Sequence, residues 1–413
     1  MGVNVRVQKA PKPDKVISAE IRLERNLKSC MRCRYFHGNN RQCIAKKCVK
    51  EEKKQPEITE EEKQNKCFGC PYPHTEGYCF PCMKEVLGLI KKKPIVIEQE
   101  EKKMDRHIEV VGVDHGWSGM KTVSQVFTTG VKEITTEPAF YNNVVEFNGS
   151  YYKVGGKRLE VRDLKVENDN FYILTLAAVA KELNRRGMRN ANILLSVGLP
   201  LTRFGAEKQD FIDYLSKEKE VTFRFDNEQY RIKLARVSVF PQCYAAVADR
   251  MKTLPKRVVV VDIGSWTIDI MPIEDSAPNE AECITIREGL IKCMRTINEE
   301  CMRQYGKELS EEDIQEIMRT GKHEKLPQKY LTIVEECLRA YVDKVYNILL
   351  EHGYNLEVTE IVFVGGGANV VKRFGNYDGN NIQYIEDVKA NAKGYEYLGR
   401  LYLSAHKKEF GLG

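Results

Sequence analysis

Three times along this chain an apolar run ends in a glycine-bearing turn, and these turns constrain the fold more than any other feature. Ile108–Val113 runs into Asp114-His115-Gly116-Trp117-Ser118-Gly119-Met120-Lys121. Val258–Val261 runs into Asp262-Ile263-Gly264-Ser265-Trp266-Thr267-Ile268-Asp269, and Ile361–Val364 runs into Gly365-Gly366-Gly367-Ala368. Short apolar runs bounded by Asp or Gly read as buried strands, and helical periodicities fill the chain between them. That order predicts a mixed α/β fold with ligands at the strand ends. The residue types suit phosphate. Gly116 and Gly119, either side of Ser118, let the backbone turn tightly and aim amides at phosphate oxygens. Lys121 can reach back as a point charge, and Asp114 can hold Mg2+ through water. Gly264, Ser265 and Thr267 repeat this logic behind Asp262. Gly365, Gly366 and Gly367 remove side chains where an adenosine would lie, just before a helix N-terminus.

Other elements follow from local pattern. Lys121–Thr128 reads as a second strand returning from the first turn. Asn148-Gly149 between Val144–Phe147 and Tyr151–Val154 is a hairpin signal, and Val221–Phe225 with Tyr230–Leu234 forms another. Asn168–Arg186 has apolar spacing near 3.6 and is closed by Gly187. Further helices are expected around Leu290–Gln304, Glu311–Thr320 and Tyr330–Glu351. Between the first two turns lies Phe240-Pro241-Gln242-Cys243-Tyr244-Ala245-Ala246, a strand end opening a helix.

A strand followed by D-x-G is weak evidence alone; the order is what discriminates. D-x-G-x-x-x-x-K, then P-Q, then D-x-G-x-x-T-x-D, then G-G-G-A resembles the actin, sugar kinase and DnaK-type chaperone superfamily over about 300 residues. Asp114 and Asp262 are 148 residues apart, and Asp262 and Gly365 are 103 apart. The second spacing leaves little room for the large fourth subdomain of the chaperones. Val364–Phe374, Asn391–Tyr395 and Ser196–Leu201 are similar to the ParM/StbA plasmid-segregation actins in particular. This resemblance implies an actin-like ATPase fold of two large domains around a nucleotide cleft, with ATP and Mg2+ as cofactors. It also implies residue roles. Asp114 and Asp262 would organise Mg2+ and the attacking water, and Lys121 would contact the β- and γ-phosphates. Gln242 would orient the water, where ParM has a glutamate and actin a glutamine. Gly365, Gly366 and Gly367 would pack against adenosine, Gly289 would lie near the base, and Asn391–Tyr395 would be the second connecting helix at the hinge.

Ahead of this domain the composition changes. Eight of the 13 cysteines lie between Cys30 and Cys82. They fall in two sets of four: Cys30, Cys33, Cys43 and Cys48, then Cys67, Cys70, Cys79 and Cys82. A C-x-x-C knuckle places two thiolates on one side of a metal and a second pair closes a tetrahedron, so Zn2+ is expected; all-thiolate ligation also suits an iron–sulfur cluster. His37 and His74 read as ordinary surface residues. The five later cysteines read as core. Residues 1–50 hold 13 Lys/Arg against 3 Asp/Glu, which suggests an acidic partner for that arm alone.

The expected organisation is a basic arm (1–29), a first zinc module (30–49), a charged linker (50–66), a second module (67–90) and another charged linker (91–106). An actin-like domain I (107–255), domain II (256–390) and a C-terminal helix returning to domain I (391–413) complete it. No apolar run approaches the ~20 residues needed to cross a bilayer, and no signal peptide is evident, so a cytoplasmic protein without a membrane partner is expected. The function this implies is a slow, filament-forming ATPase that associates with itself and positions plasmid or mobile-element DNA. The zinc modules and basic segment would tether DNA or a DNA-bound adaptor. A non-polymerising nucleotide switch is the alternative. A metabolic kinase is disfavoured, because no second acidic motif for a sugar hydroxyl is present.

Overall fold

The structure, a computed structural model, describes residues 36–37, 42–43, 107–161, 165–377 and 379–412. The chain divides into two compact units, residues 1–73 and 74–413. In the first, β1 (Phe36–His37) pairs antiparallel with β2 (Gln42–Cys43).

The second unit opens with β3 (Ile108–His115), β4 (Gly119–Thr122), β5 (Val126–Thr128), β6 (Val131–Ile134), β7 (Val144–Phe147) and β8 (Ser150–Val154). Then come α1 (Asn170–Arg185), β9 (Asn190–Leu199), α2 (Leu201–Leu215), β10 (Glu220–Phe225) and β11 (Glu228–Pro241). These strands form one nine-stranded sheet in the order β5-β4-β3-β9-β11-β10-β7-β8-β6. Its centre is parallel, β3 against β9 and β9 against β11, so that β3, β9 and β11 all end at the same edge. Both faces are buried along β3, the last seven residues of β9 and the last five of β11, which is why Ile108–Val113 and Ile193–Val197 read as apolar runs. Asn148 and Gly149, at φ 49° and 77°, make the expected tight turn between β7 and β8. Gly187, at φ 72°, closes α1 as read from sequence, and the Met188 N–H returns to the Leu183 carbonyl at 2.8 Å.

After α3 (Tyr244–Val247) a second sheet is built from β12 (Arg257–Ile263), β13 (Ile268–Glu274), β14 (Ala277–Pro278) and β15 (Ile284–Ile286). Next are α4 (Leu290–Tyr305), α5 (Glu311–Thr320), α6 (Gln328–Glu351), β16 (Ile361–Val364), α7 (Gly366–Phe374) and β17 (Ile382–Ile385). The strand order is β14-β13-β12-β16-β17, with β15 on β13. Val261, Ile263, Ile270, Ile297, Ile317, Val342 and Phe363 are among the residues of one core under this sheet. Local signals set the helix ends: the Ser310 hydroxyl accepts the Asp313 N–H at 3.1 Å ahead of an acidic first turn, and Gly321 at φ 72° ends α5. Finally α8 (Ala390–Ala405) packs back on β3, β9 and α3.

The expected strand Lys121–Thr128 is in fact two, β4 and β5. Glu182 of α1 breaks it: this fully buried carboxylate accepts from the Thr122 hydroxyl (2.5 Å) and the Ser124 N–H (2.9 Å), pulling the chain into a turn. No described helix is long and apolar enough to cross a membrane.

Candidate functional site

The hairpins β3–β4 and β12–β13 carry their turns to one place. The Ser118 N–H of the first donates to the Ser265 hydroxyl of the second at 3.2 Å. In the first hairpin Asp114 and Lys121 are directly cross-strand, and the Lys121 ammonium donates to Asp114 Oδ2 at 2.9 Å. Asp114 is buried, and the Lys121 side chain is 22% exposed. Gly116 has no room for a side chain, since a Cβ would sit 2.7 Å from both the Gly119 carbonyl and the Lys121 ammonium. Gly119, by contrast, opens β4 with no contact closer than 3.5 Å.

The second hairpin brings two more buried carboxylates. Asp262 ends β12 and Asp269 lies opposite it on β13. Burial, then the Asp269 charge, pushes the Asp262 carboxyl up to about 7, against the Asn391 hydrogen bond and the Lys121 charge. The Asn391 amide donates to Asp262 Oδ2 at 2.6 Å. Burial also raises Asp269, against hydroxyls from Thr285 (2.5 Å) and Thr267 (2.9 Å) and the charges of Lys165 and Arg203. Gly264 closes the turn through its N–H to the Thr267 carbonyl at 2.9 Å.

Among the described residues no three acidic, histidine or cysteine side chains converge into a metal cage. The donor set still fits Mg2+. Three hard carboxylates lie on the two hairpins, and among the described residues Asp262 has a single side-chain hydrogen-bond donor, Asn391. Mg2+ binds through one or two carboxylates, with water and phosphate oxygens completing its shell.

Gln242 lies partly buried at the end of β11, with its N–H on the Leu199 carbonyl of β9 at 2.9 Å. Cys243 follows at φ 60° and ψ −60°, and the Tyr244 N–H closes the turn on the Gln242 carbonyl at 2.6 Å. A non-glycine residue held there stores backbone strain of ~1–3 kcal/mol, and such strain clusters at functional sites. The Cys243 thiol is buried, which raises it well above the ordinary range, and it faces the Asp269 carbonyl at 3.6 Å.

The three glycines after β16 differ in what they do. Gly365 sits at φ 77°, where a Cβ would come 2.7 Å from Asp262 Oδ1. Gly367 lets α7 approach β12, since a Cβ would lie 2.3 Å from that of Ile263. Gly366 alone faces space, with its nearest atom 3.8 Å away on Val388. Gly289 caps α4 against the second turn: a Cβ would meet the Ser265 and Trp266 backbone at 2.5–2.6 Å, and the Leu290 N–H reaches the Gly264 carbonyl at 3.1 Å. Its close contact is therefore with the turn's own backbone.

The expected site residues from Asp114 to Gly367 thus lie on the two turns, after the end of β11, at the start of α4 and in the turn after β16, and the two turns meet at Ser118 and Ser265. Two further side chains join them. Asp269 closes the D-x-G-x-x-T-x-D pattern, and its two-residue offset from Thr267 puts both on one face of the strand, so its role was legible. Asn391 was expected only as part of a hinge helix. The zinc assignment for Cys30, Cys33, Cys48, Cys67, Cys70, Cys79 and Cys82 lies outside the described residues, and Cys43 is described only as backbone of β2. His74 also lies outside them.

Residues 112–244 match the family model of the N-terminal domain of actin-like proteins, and residues 260–374 match that of the C-terminal domain of archaeal MreB-like actin homologues. No curated protein sequence matches the chain. Among solved structures, the archaeal actin homologue Ta0583 in complex with ADP superposes with TM-score 0.56 at 20% identity, over 70% of this chain and 99% of that one. ParM of Bacillus thuringiensis with ATP gives 0.54 at 14% identity, over 71% and 98%. The Alp12 filament gives 0.52 at 14% identity, over 71% and 98%. These likenesses show the fold that the two sheets and the strand-end cleft describe.

Proposed function

We propose, from the membership of residues 112–244 and 260–374 in the actin-like ATPase family, that this protein binds Mg-ATP, hydrolyses it slowly and polymerises with itself. The observation that carries the reading is the meeting of the two turns at Ser118 and Ser265. It sets the Asp114–Lys121 pair and the Asp262–Asp269 pair around one cleft.

In this reading Lys121 and the turn amides bind the phosphates, and a bound Mg2+ would neutralise their charge from Asp114 and Asp262. Gln242 orients the attacking water. Asp262, raised to about 7 by burial and the Asp269 charge, can hold a proton at neutral pH until Mg2+ displaces it. Transfer to water needs little covalent help, and positioning with charge neutralisation carries most of it. Gly366 gives adenosine its approach to backbone. Two sheet-based halves on either side of the nucleotide can change their relative angle when the terminal phosphate leaves, and that angle would set whether copies stack.

The cargo reading rests on sequence. The resemblance to plasmid-segregation actins and the basic, cysteine-rich segment support positioning of plasmid or mobile-element DNA, with two Zn2+ folding the modules that tether DNA or an adaptor. Sedimentation of the full-length protein with and without ATP, alongside phosphate release, tests the core of the proposal. Pelleting that requires ATP supports it. A protein that turns over ATP yet stays monomeric at tens of micromolar loses the filament.

A further inference from the structure

Two residues one turn apart on α8 carry buried polar atoms that the fold leaves over. Asn391 and Tyr395 stand at i and i+4 and so share one helix face. The Asn391 amide N–H is spent on Asp262 at 2.6 Å, and its Oδ1 accepts nothing from the described residues. Tyr395 is fully buried, and among the described residues its hydroxyl meets no partner at hydrogen-bond distance and angle. A hydroxyl buried unpaired is costly, and phenylalanine would fill the same space without that cost.

Packing sets where this hydroxyl lies. A Cβ at Gly198 would fall 2.1 Å from both Cζ and Oη of Tyr395, so the polar end of the ring rests on the end of β9. Gly198 is in register with Phe240 of β11, and the next residue, Leu199, takes the Gln242 N–H on its carbonyl at 2.9 Å. Gly394, the neighbour of Tyr395, presses on the Ala245 carbonyl, three residues beyond Gln242. The two α8 residues thus bracket the strained turn at Cys243 that follows Gln242. Burial, then the charges of Asp114 and Asp262, hold the phenol well above its ordinary range, so it stays neutral. The Gln242 side chain acts in the opposite sense, as an amide N–H beside the phenol oxygen does. A glutamine that orients water must present its carbonyl end. The two ends of the amide have nearly the same shape, so a hydrogen-bonding neighbour decides which one faces the water.

We propose that Tyr395 is a positioning residue for hydrolysis: its phenol oxygen accepts from the Gln242 side-chain amide and so turns the amide carbonyl toward the attacking water. This rests on the nucleotide reading above. One face of α8 then serves both Asp262 and Gln242. The test is phosphate release from Mg-ATP by the full-length protein, alongside calorimetric AMPPNP affinity and the melting temperature without nucleotide. Tyr395→Phe should slow release about 5- to 30-fold, the loss of one directing hydrogen bond, with AMPPNP affinity within about twofold and a melting temperature no lower than wild type. Gln242→Glu removes the choice of ends, because both carboxylate oxygens accept, and in that background Tyr395→Phe should cost less than about twofold. Unchanged release in the glutamine protein overturns the inference. So does an equal loss in both backgrounds, or a loss that comes with weaker AMPPNP binding and a lower melting temperature, which would make the hydroxyl structural. Each of these leaves the nucleotide reading standing. A wild-type protein that binds no AMPPNP overturns that reading and the inference with it.

Discussion

Asp262 offers a direct measure of what the cleft costs the fold. Asp262→Asn removes the charge at nearly constant shape, and the new amide oxygen can still accept the Asn391 hydrogen bond. The folded carboxyl titrates at about 7 against an ordinary 3.8. At ~1.4 kcal/mol per unit, this gap caps the penalty of ionising Asp262 at ~4 kcal/mol. Relaxation and water entry reduce it, so ~1–3 kcal/mol is expected. The sign follows from the folded value lying above the unfolded one. The carboxyl's contribution is fully present below about pH 4 and is lost as pH rises through about 7. Asp262→Asn should therefore be no more stable than wild type at the acid end. Its advantage should reach about a third of its full size at pH 5 and level off above pH 7, at ~2–6 °C in melting temperature. Thermal melts from pH 4.5 to 8, with EDTA and no nucleotide, read this directly. Equal melting temperatures at pH 8, or an advantage independent of pH, would refute the account of a desolvated carboxylate.

Other expectations follow from the same cleft and from the segment ahead of it. Asp262→Ala should cut ATP turnover by about 10²–10³, and Gln242→Ala should slow hydrolysis with near-normal binding; unaltered rates in both would remove the site assignment. Gly366→Ala should melt like wild type but bind ATP more weakly, whereas Gly367→Ala, which forces a contact on Ile263, should cost about 3 kcal/mol in denaturant unfolding. Metal analysis of the full-length protein should find about two Zn2+, lost when Cys67 and Cys70 are both changed to serine in one module and Cys30 and Cys33 in the other. Iron with visible absorbance, or no metal, would contradict this. Fluorescence anisotropy on a labelled duplex should show weak binding that falls with log salt at a slope of about −3 to −4, for about four phosphate contacts. Neutralising Arg32, Arg34, Arg41, Lys46 and Lys47 should abolish it; binding that survives would place the contact elsewhere.

What could be read in advance was what is local. Ser310 and Gly321 fix the ends of α5, Asn148-Gly149 fixes a hairpin, and Asp262 marks a strand end, each by chemistry confined to a few neighbours. The helix Leu201–Leu215 gave no clear pattern, because only Phe204, Phe211 and Leu215 are buried on it and Gly205 interrupts it. The break between β4 and β5 is made by Glu182, some 58 residues away from Ser124, and no local pattern encodes that. Within the site the glycines and carboxylates of the turns were legible because phosphate chemistry demands them in order. The Asn391 bond to Asp262 was not, since its two ends lie 129 residues apart.

One element, α8, joins the two halves of the cleft. From α8, Asn391 reaches Asp262 beneath the second sheet, while Glu396 takes Arg186 at 2.9 Å beside the first. Gly394 lies so close to α3 that a Cβ would fall 1.8 Å from the Ala245 carbonyl. A shift of α8 along its axis would carry Asn391 off Asp262 and Glu396 off Arg186 together, so the helix works as a tie rod that gears movement of one sheet to movement of the other.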